Sequence, residues 1–471
     1  MSEGVTARPV VAKPVRSSGA ELAVTVSIPL LTLGDLLLQW RWSLWGAALM
    51  AGVFVACQRR HMTPPVQRTV LFLLVVTGLL LPLLPEPGAA LERGLRIGVL
   101  IASLLVSTKL VSRAIGRVPR TRALLDSLHR VAPSHRYGVQ SVASQFFGGL
   151  LGLAGVTMMM ESAAQQKDLS HKDRLASFSA ITRGYAALSL WSPMYSNMSI
   201  TLALYQGAQW VSVLPAALLV AAFFLVLGTA LERLSGRARQ APGFGQAASF
   251  ASLLHQGWPV LLGMCVFVVV MVLASRGLAL PISAVIIAGA PLAAWLLNAH
   301  MGGSLRPRFR GAAGLMAADL SDFRIMAGEV AIFMASGCAG TVIGSAIPKA
   351  WIAAIGAAVA GSPELACLTV SATIVALSAG ALHPMLSAII VGSSLGPAQL
   401  GLPMLPHLSA VLVGWGLAII VTPFSVISGM ASRWSGLPLL TISLRANAVF
   451  VLLALGGSAG LLGLMARAIA R

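Results

Sequence analysis

Charge is what this sequence has least of. Only 10% of its 471 residues are Asp, Glu, Lys or Arg, against about a quarter in soluble domains. Acids are the scarcer sign, 14 Asp and Glu to 33 Lys and Arg, and they are nearly absent from the middles of the apolar stretches, Asp35 being the main exception. That scarcity argues against a carboxylate proton relay and against an acid-ringed cation channel. The four cysteines, Cys57, Cys265, Cys338 and Cys367, lie in or beside apolar segments without metal-ligand spacing. Neither a disulfide framework nor a metal site is expected. There is no His-Glu-x-x-His, no nucleophile motif and no stretch that alternates like a strand. No cofactor is implied, and no residue pattern marks an enzyme.

What the chain does have is apolar length. Hydrophobic residues make up 57% of it, in runs near the 20 or so residues that cross a bilayer. The expected fold class is an all-α polytopic membrane protein with about eleven or twelve transmembrane segments, a multi-pass protein of the inner (plasma) membrane. A net charge of +19 would suggest nucleic acid in a soluble protein, but here the basic residues cluster between apolar runs. They read as topogenic charges at the cytoplasmic face, in contact with anionic lipid headgroups. No aromatic-interleaved basic domain exists to bind nucleic acid.

Residues 1–20 are polar and basic and read as a cytoplasmic tail, followed by a first transmembrane half over 21–231, a linker over 232–258 and a second half over 259–471. Spans are expected at Leu22 to Leu38, Ser43 to Cys57, Thr69 to Leu84 and Ile97 to Val111, then Ser141 to Ala163, Leu175 to Leu204 and Trp210 to Leu231. The second half offers Pro259 to Ser275, Leu280 to Ala299, Met326 to Ala346, Trp351 to Leu395, His407 to Gly429 and Val449 to Met465, with a basic loop over Arg306 to Arg324. Ser112 to Tyr137 carries six arginines and one acid. It is the strongest inside signal and fits an amphipathic helix at the interface. If every segment crosses once, either this stretch or Lys167 to Arg174 falls outside. A re-entrant hairpin in one repeat core removes that conflict.

Two spans are interrupted by proline. Trp191 to Ile200, WSPMYSNMSI, lines up with Leu382 to Val391, LHPMLSAIIV, and Ala143 to Gly152 lines up with Ala335 to Gly344. Two matches in the same order at nearly one offset favour two repeat halves, each with a broken or re-entrant helix. The competing reading is that small residues recur in any membrane helix. Proline removes a backbone donor and clashes with the preceding turn, and in lipid such breaks survive where protein or a water-filled cavity covers them.

Two halves, each with a small-residue helix leading into a segment broken at a polar motif, resemble the ion transporter superfamily of divalent anion/sodium symporters, arsenite permeases, citrate transporters and large membrane subunits of tripartite transporters. The run Glu329 to Phe333 ahead of a Gly-rich helix is similar in layout to arsenite-permease-like members. Symporters of the group carry Ser-Asn-Thr at each hairpin tip. This chain has Ser192-Pro193 with Ser196-Asn197 at one and His383-Pro384 with Ser387 at the other. The resemblance implies a secondary transporter of a small solute, an organic or inorganic anion, driven by a proton or sodium gradient through alternating access. A homodimer is compatible with it.

The candidate substrate-binding residues are Ser192, Ser196, Asn197, His383, Ser387, Thr422 and Ser425. Hydroxyl and amide groups at inward-pointing helix ends suit an ionic solute, although each alone also serves as packing glue. Thr422 to Ser425, Thr-Pro-Phe-Ser, makes a third break and a wall of the site. His383 is read as the one histidine deep in an apolar run. Its ordinary pKa of about 6.5 suits a proton step, and the plainer alternative is a neutral ring that pins the kink. Arg183 and Lys109 are expected to snorkel to the interface. A membrane enzyme acting on a lipid-linked substrate and a structural subunit of an envelope complex remain the alternatives.

Overall fold

The computed structural model describes residues 18–128, 131, 133–166, 170–205, 207–235, 250–301, 305–380, 382–423 and 425–470. Most of the expected tail and most of the expected linker lie outside them. Among the described residues the apolar sequence is cut into twenty α-helices with no strand. The first is α1 (Gly19–Leu38), started by a capping box in which Ser18 Oγ accepts the Glu21 N–H and the Glu21 carboxylate accepts the Ser18 N–H. It is followed by α2 (Arg41–Cys57), α3 (Pro64–Leu80) and the 30-residue α4 (Pro87–Gly116). The short α5 (Pro119–Ser127) leads to α6 (Pro133–Leu151), α7 (Leu153–Ala164), α8 (His171–Trp191), α9 (Ser196–Leu204) and α10 (Trp210–Leu234). Next come α11 (Phe250–Gly277), α12 (Ile282–Met301), α13 (Leu305–Ser321), α14 (Ala327–Ala346), α15 (Lys349–Val359) and α16 (Pro363–Ala379). The chain closes with α17 (Pro384–Ser394), α18 (Met404–Val421), α19 (Val426–Ser435) and α20 (Ala446–Ala470).

The chain is a polytopic all-α membrane protein. Nine described stretches are long and apolar enough to cross a bilayer, below the expected eleven or twelve: α2, α15, α16 and α17 have 17 residues or fewer, and α6 and α8, with 19 and 21, are long enough but are not among the nine. Each broken segment is a pair of consecutive helices, α8 with α9 and α16 with α17, eight helices apart in the chain. The packing is not a copy: α6 lies mainly against α8, whereas its counterpart α14 lies mainly against α4.

Burial separates core from periphery. Every residue from Ser177 to Leu190 of α8 and from Pro406 to Val421 of α18 is buried, as expected of helices enclosed on all sides. In contrast α3 and α11 expose Leu71, Phe72, Val269 and Leu273. The close crossing of α4 on α14 depends on absent side chains. A Cβ on Gly337 would stand 2.7 Å from the Gly94 carbonyl oxygen, and one on Gly94 would stand 2.6 Å from Cys338 Cα, closer than any real contact.

Three expected boundaries move. Ser141 to Ala163 is not one span, because Gly152 at φ 56°, ψ −140° separates α6 from α7, in a region that only glycine adopts readily. Trp351 to Leu395 holds two breaks, since α15 ends before Gly361 and Pro363 starts α16. The expected loop over Arg306 to Arg324 is helical across α13, with a 3₁₀ turn at Asp322–Met326.

The α6–α7 hairpin removes the charge conflict. Trp191 Nε1 donates to Gln145 Oε1 at 3.0 Å and Arg183 Nη1 donates to the Tyr137 hydroxyl at 3.2 Å, so α6 and α8 run parallel. Twelve-residue α7 rises about 18 Å, too little to cross, and carries the chain back from the Gly152 tip to the end where α6 began. Arg136 and Lys172 thus belong to one end of the molecule. Arg117 joins that end to α13 through two bonds of its guanidinium to Asp319, at 2.9 and 2.5 Å.

Arg183 does not snorkel. Buried to 5% exposure, it donates to Asn447 Oδ1 at 2.9 Å and to the Ala446 carbonyl at 2.7 Å, with its guanidinium 4.6 Å over the Phe450 ring. It ties the start of α20 to α8, because a buried guanidinium is retained only where its donors are met.

Candidate functional site

Three breaks meet a single cavity of about 610 Å³. At the first, α8 ends at Ser192, whose N–H still reaches Leu188 C=O at 3.1 Å, and the chain passes Pro193, Met194 and Tyr195 before α9 starts. At the second, Pro384 opens α17 and His383 is its N-cap, with Nδ1 accepting the Met385 N–H at 3.3 Å. At the third, α18 gives way at Thr422 and Pro423 to α19, whose N-cap Ser425 accepts the Ser428 N–H at 3.0 Å.

Of the expected residues, Ser192, Ser196, Asn197, His383 and Ser425 line this cavity together with Pro384. Ser387 and Thr422 do not. Ser387 lies one turn into α17 and is fully buried against α16, its Oγ accepting from Ser378 Oγ at 3.1 Å. Thr422 caps the end of α18 and is fully buried in the packing there.

Sequence reasoning passed over several wall residues. Lys109 and Arg113 share one face of α4 by their four-residue spacing, and both line the cavity rather than reaching for an interface. Lys109 Nζ donates to the Asp322 carbonyl at 3.0 Å and stands 5.5 Å over the Phe323 ring, while Arg113 Nη2 donates to Asp322 Oδ2 at 3.2 Å. Glu161 on α7 and Glu329 in the first turn of α14 also line it. The tip glycine, Gly152, lines it too, a fourth helix interruption and one that no proline signalled. Tyr185 and Tyr195 stand edge to face at 5.2 Å in the wall.

His383 is not the only deeply placed histidine. His407 of α18 is fully buried, with Nδ1 2.7 Å from the Tyr205 hydroxyl and Nε2 2.6 Å from the Leu395 carbonyl. A carbonyl only accepts, so Nε2 carries the hydrogen and Nδ1 takes the tyrosine proton. Tyr205 and Leu395 are the C-caps of α9 and α17, so one ring joins the far ends of the two half-helices. The same logic applies at His383: a backbone N–H only donates, so Nδ1 accepts and the neutral ring carries its hydrogen on Nε2.

The cavity opens at the basic end, where Arg113 and Glu161 are exposed. Its deeper wall is largely apolar, with Leu104, Met158, Met194, Phe333, Trp415 and Ile419. Such a space can hold a small solute among helix ends.

No family model matches this chain, and no curated protein sequence matches it. Among solved structures it is similar to the crystal structure of the Alcanivorax borkumensis YdaH transporter, at 14% identity and a TM-score of 0.53 over 85% of this chain and 97% of that one. At that identity the likeness is one of fold.

Proposed function

We propose that the protein is a secondary active transporter and not an enzyme, carrying a small anionic solute through the cavity between the helix breaks, by alternating access and at the expense of an ion gradient. The observation that carries the reading is the meeting of the Ser-Pro, His-Pro and Thr-Pro breaks, which lie far apart in sequence, on one cavity. Interrupted helices facing a common chamber are how membrane carriers expose backbone dipoles to a solute. The fold shared with a transporter agrees with it, as does the layout resembling the ion transporter superfamily.

His383 supports a proton as the driving ion, with sodium as the competing choice. A proton added at Nδ1 removes the acceptor that caps α17, so protonation and the geometry of that break are linked. Purified protein in proteoliposomes, given a panel of labelled carboxylates and oxyanions under an imposed pH gradient or an imposed sodium gradient, should accumulate one class of solute under one gradient. Equal levels in protein-containing and empty liposomes across the panel would contradict transport.

A further inference from the structure

Arg113 and Arg117 stand one turn apart on α4 and are held very differently. Arg117 gives two bonds to the Asp319 carboxylate, at 2.9 and 2.5 Å, and another to Asn298 Oδ1 at 3.1 Å, and the Asp319 side chain is only 4% exposed. That pairing is a fixture. Arg113 gives a single bond to the Asp322 carboxylate, at 3.2 Å, between side chains that are 46% and 41% exposed. An ion pair so open to solvent contributes little and is readily exchanged.

The exchange partner stands across the cavity. Glu161 of α7 is exposed at the mouth, and its carboxylate has no hydrogen bond or ion pair among the described residues. The other charges in this part of the wall are committed: Lys109 Nζ to the Asp322 carbonyl and the Phe323 ring, and the Glu329 carboxylate to its own N–H. Ser112 Oγ donates to the Leu151 carbonyl at 2.7 Å, which sets Arg113 level with the tip of the α6–α7 hairpin. Glu161 follows Gly152 by nine residues, about 13 Å nearer the basic end at 1.5 Å per residue. The two groups are therefore apart in this conformation, and drawing the hairpin inward along α4 brings them together.

We propose that Arg113 and Glu161 are the latch of the cavity mouth: Arg113 holds Asp322 while the mouth is open and transfers to Glu161 when the hairpin moves in and the mouth shuts. The latch rests on the alternating-access reading of the cavity and adds the contact that holds one of its states. One solvent-open ion pair is traded for another, so neither state is trapped. A near-equal exchange keeps both states populated, as a carrier that passes between them requires. Asp322 and Glu161 thus draw the same guanidinium in opposite directions.

The test reads the width of the mouth in full-length protein, as the distance between nitroxide labels on cysteines placed at the exposed positions Gln165 and Ile325, with the exposed Cys57 and Cys265 replaced by serine. Two distances are expected, the longer from the open mouth. Glu161→Gln should lower the ratio of short to long about three- to fivefold, and Asp322→Asn, which keeps the carbonyl that Lys109 uses, should raise it by a similar factor. Both shifts should vanish when Arg113→Gln is added, because neither carboxylate then has a guanidinium to hold. A single distance that no variant moves, shifts of the same sign in Glu161→Gln and Asp322→Asn, or shifts that persist beside Arg113→Gln overturn the latch. Thiol labelling of a cysteine at Ser196 in the same variants, from each membrane face, separates the two claims. Gradient-dependent sidedness that no variant alters removes the latch and leaves alternating access. A mouth that the variants open and shut as expected, with the cysteine reached from the basic face alone, upholds the latch and removes alternating access.

Discussion

At the residue scale, His383 and Arg183 show how one kind of group, a titratable or charged side chain in an apolar run, comes to opposite uses. His383 faces the cavity and caps α17, so its two roles can be parted by substitution. Asn at this position keeps the N-cap, for which it ranks among the best residues, and removes the titration. His383→Asn should therefore reach the membrane at normal levels while its transport loses its pH dependence. His383→Leu loses the cap as well and should cost about 1 kcal/mol of stability. An Asn variant that transports with an unchanged pH profile would take His383 out of the coupling step. Arg183 is not in the wall of that cavity. Replacing it with Leu leaves Asn447 Oδ1, the Ala446 carbonyl and the Tyr137 hydroxyl without their donor, a cost of about 2–4 kcal/mol. Arg183→Leu should lower the apparent Tm sharply, and a variant as stable as the parent would show that the clamp on α20 is dispensable.

At the element scale, legibility followed the visibility of the breaker. Proline announces itself, so the interruptions at Pro193, Pro384 and Pro423 were readable in sequence and stand where expected. Gly152 was not, because a glycine in a small-residue helix reads equally as a packing contact, and only its positive φ distinguishes it. The same ambiguity hid Arg183: nothing in an apolar run tells a snorkelling arginine from a buried one until Asn447, 264 positions later, is brought to it. Lys109 read as a snorkelling side chain, Arg113 as part of an interfacial basic stretch and Glu329 as the head of a Gly-rich span, because the cavity that makes them inward-facing lies between α4, α7 and α14. The α6–α7 hairpin carries a prediction of its own. It places α5 and the start of α8 at one end, so cysteines at the exposed positions Arg120 and Lys172 should react alike with an impermeant thiol reagent. Positive charge beside span ends puts both at the cytoplasmic face, so neither should be labelled in intact cells. Labelling of one without the other would mean that α7 crosses the membrane.

At the scale of the whole molecule, distant breaks form one chamber, and the proposed alternating access requires that this chamber open to each membrane face in turn. In the conformation described it opens toward the basic end, past Arg113 and Glu161. The joined far ends of α9 and α17, held through Tyr205, His407 and the Leu395 carbonyl, give the two half-helices a means of moving together. The most direct measurement is the sidedness of a cysteine at Ser196, in protein whose exposed Cys57 and Cys265 are replaced by serine, in membrane vesicles of both orientations. An impermeant thiol reagent should reach Cys at this position from the basic face at rest, and from the opposite face in a fraction that grows when a driving gradient is imposed. Reaction from the basic face alone under every gradient would describe a fixed cleft and contradict alternating access.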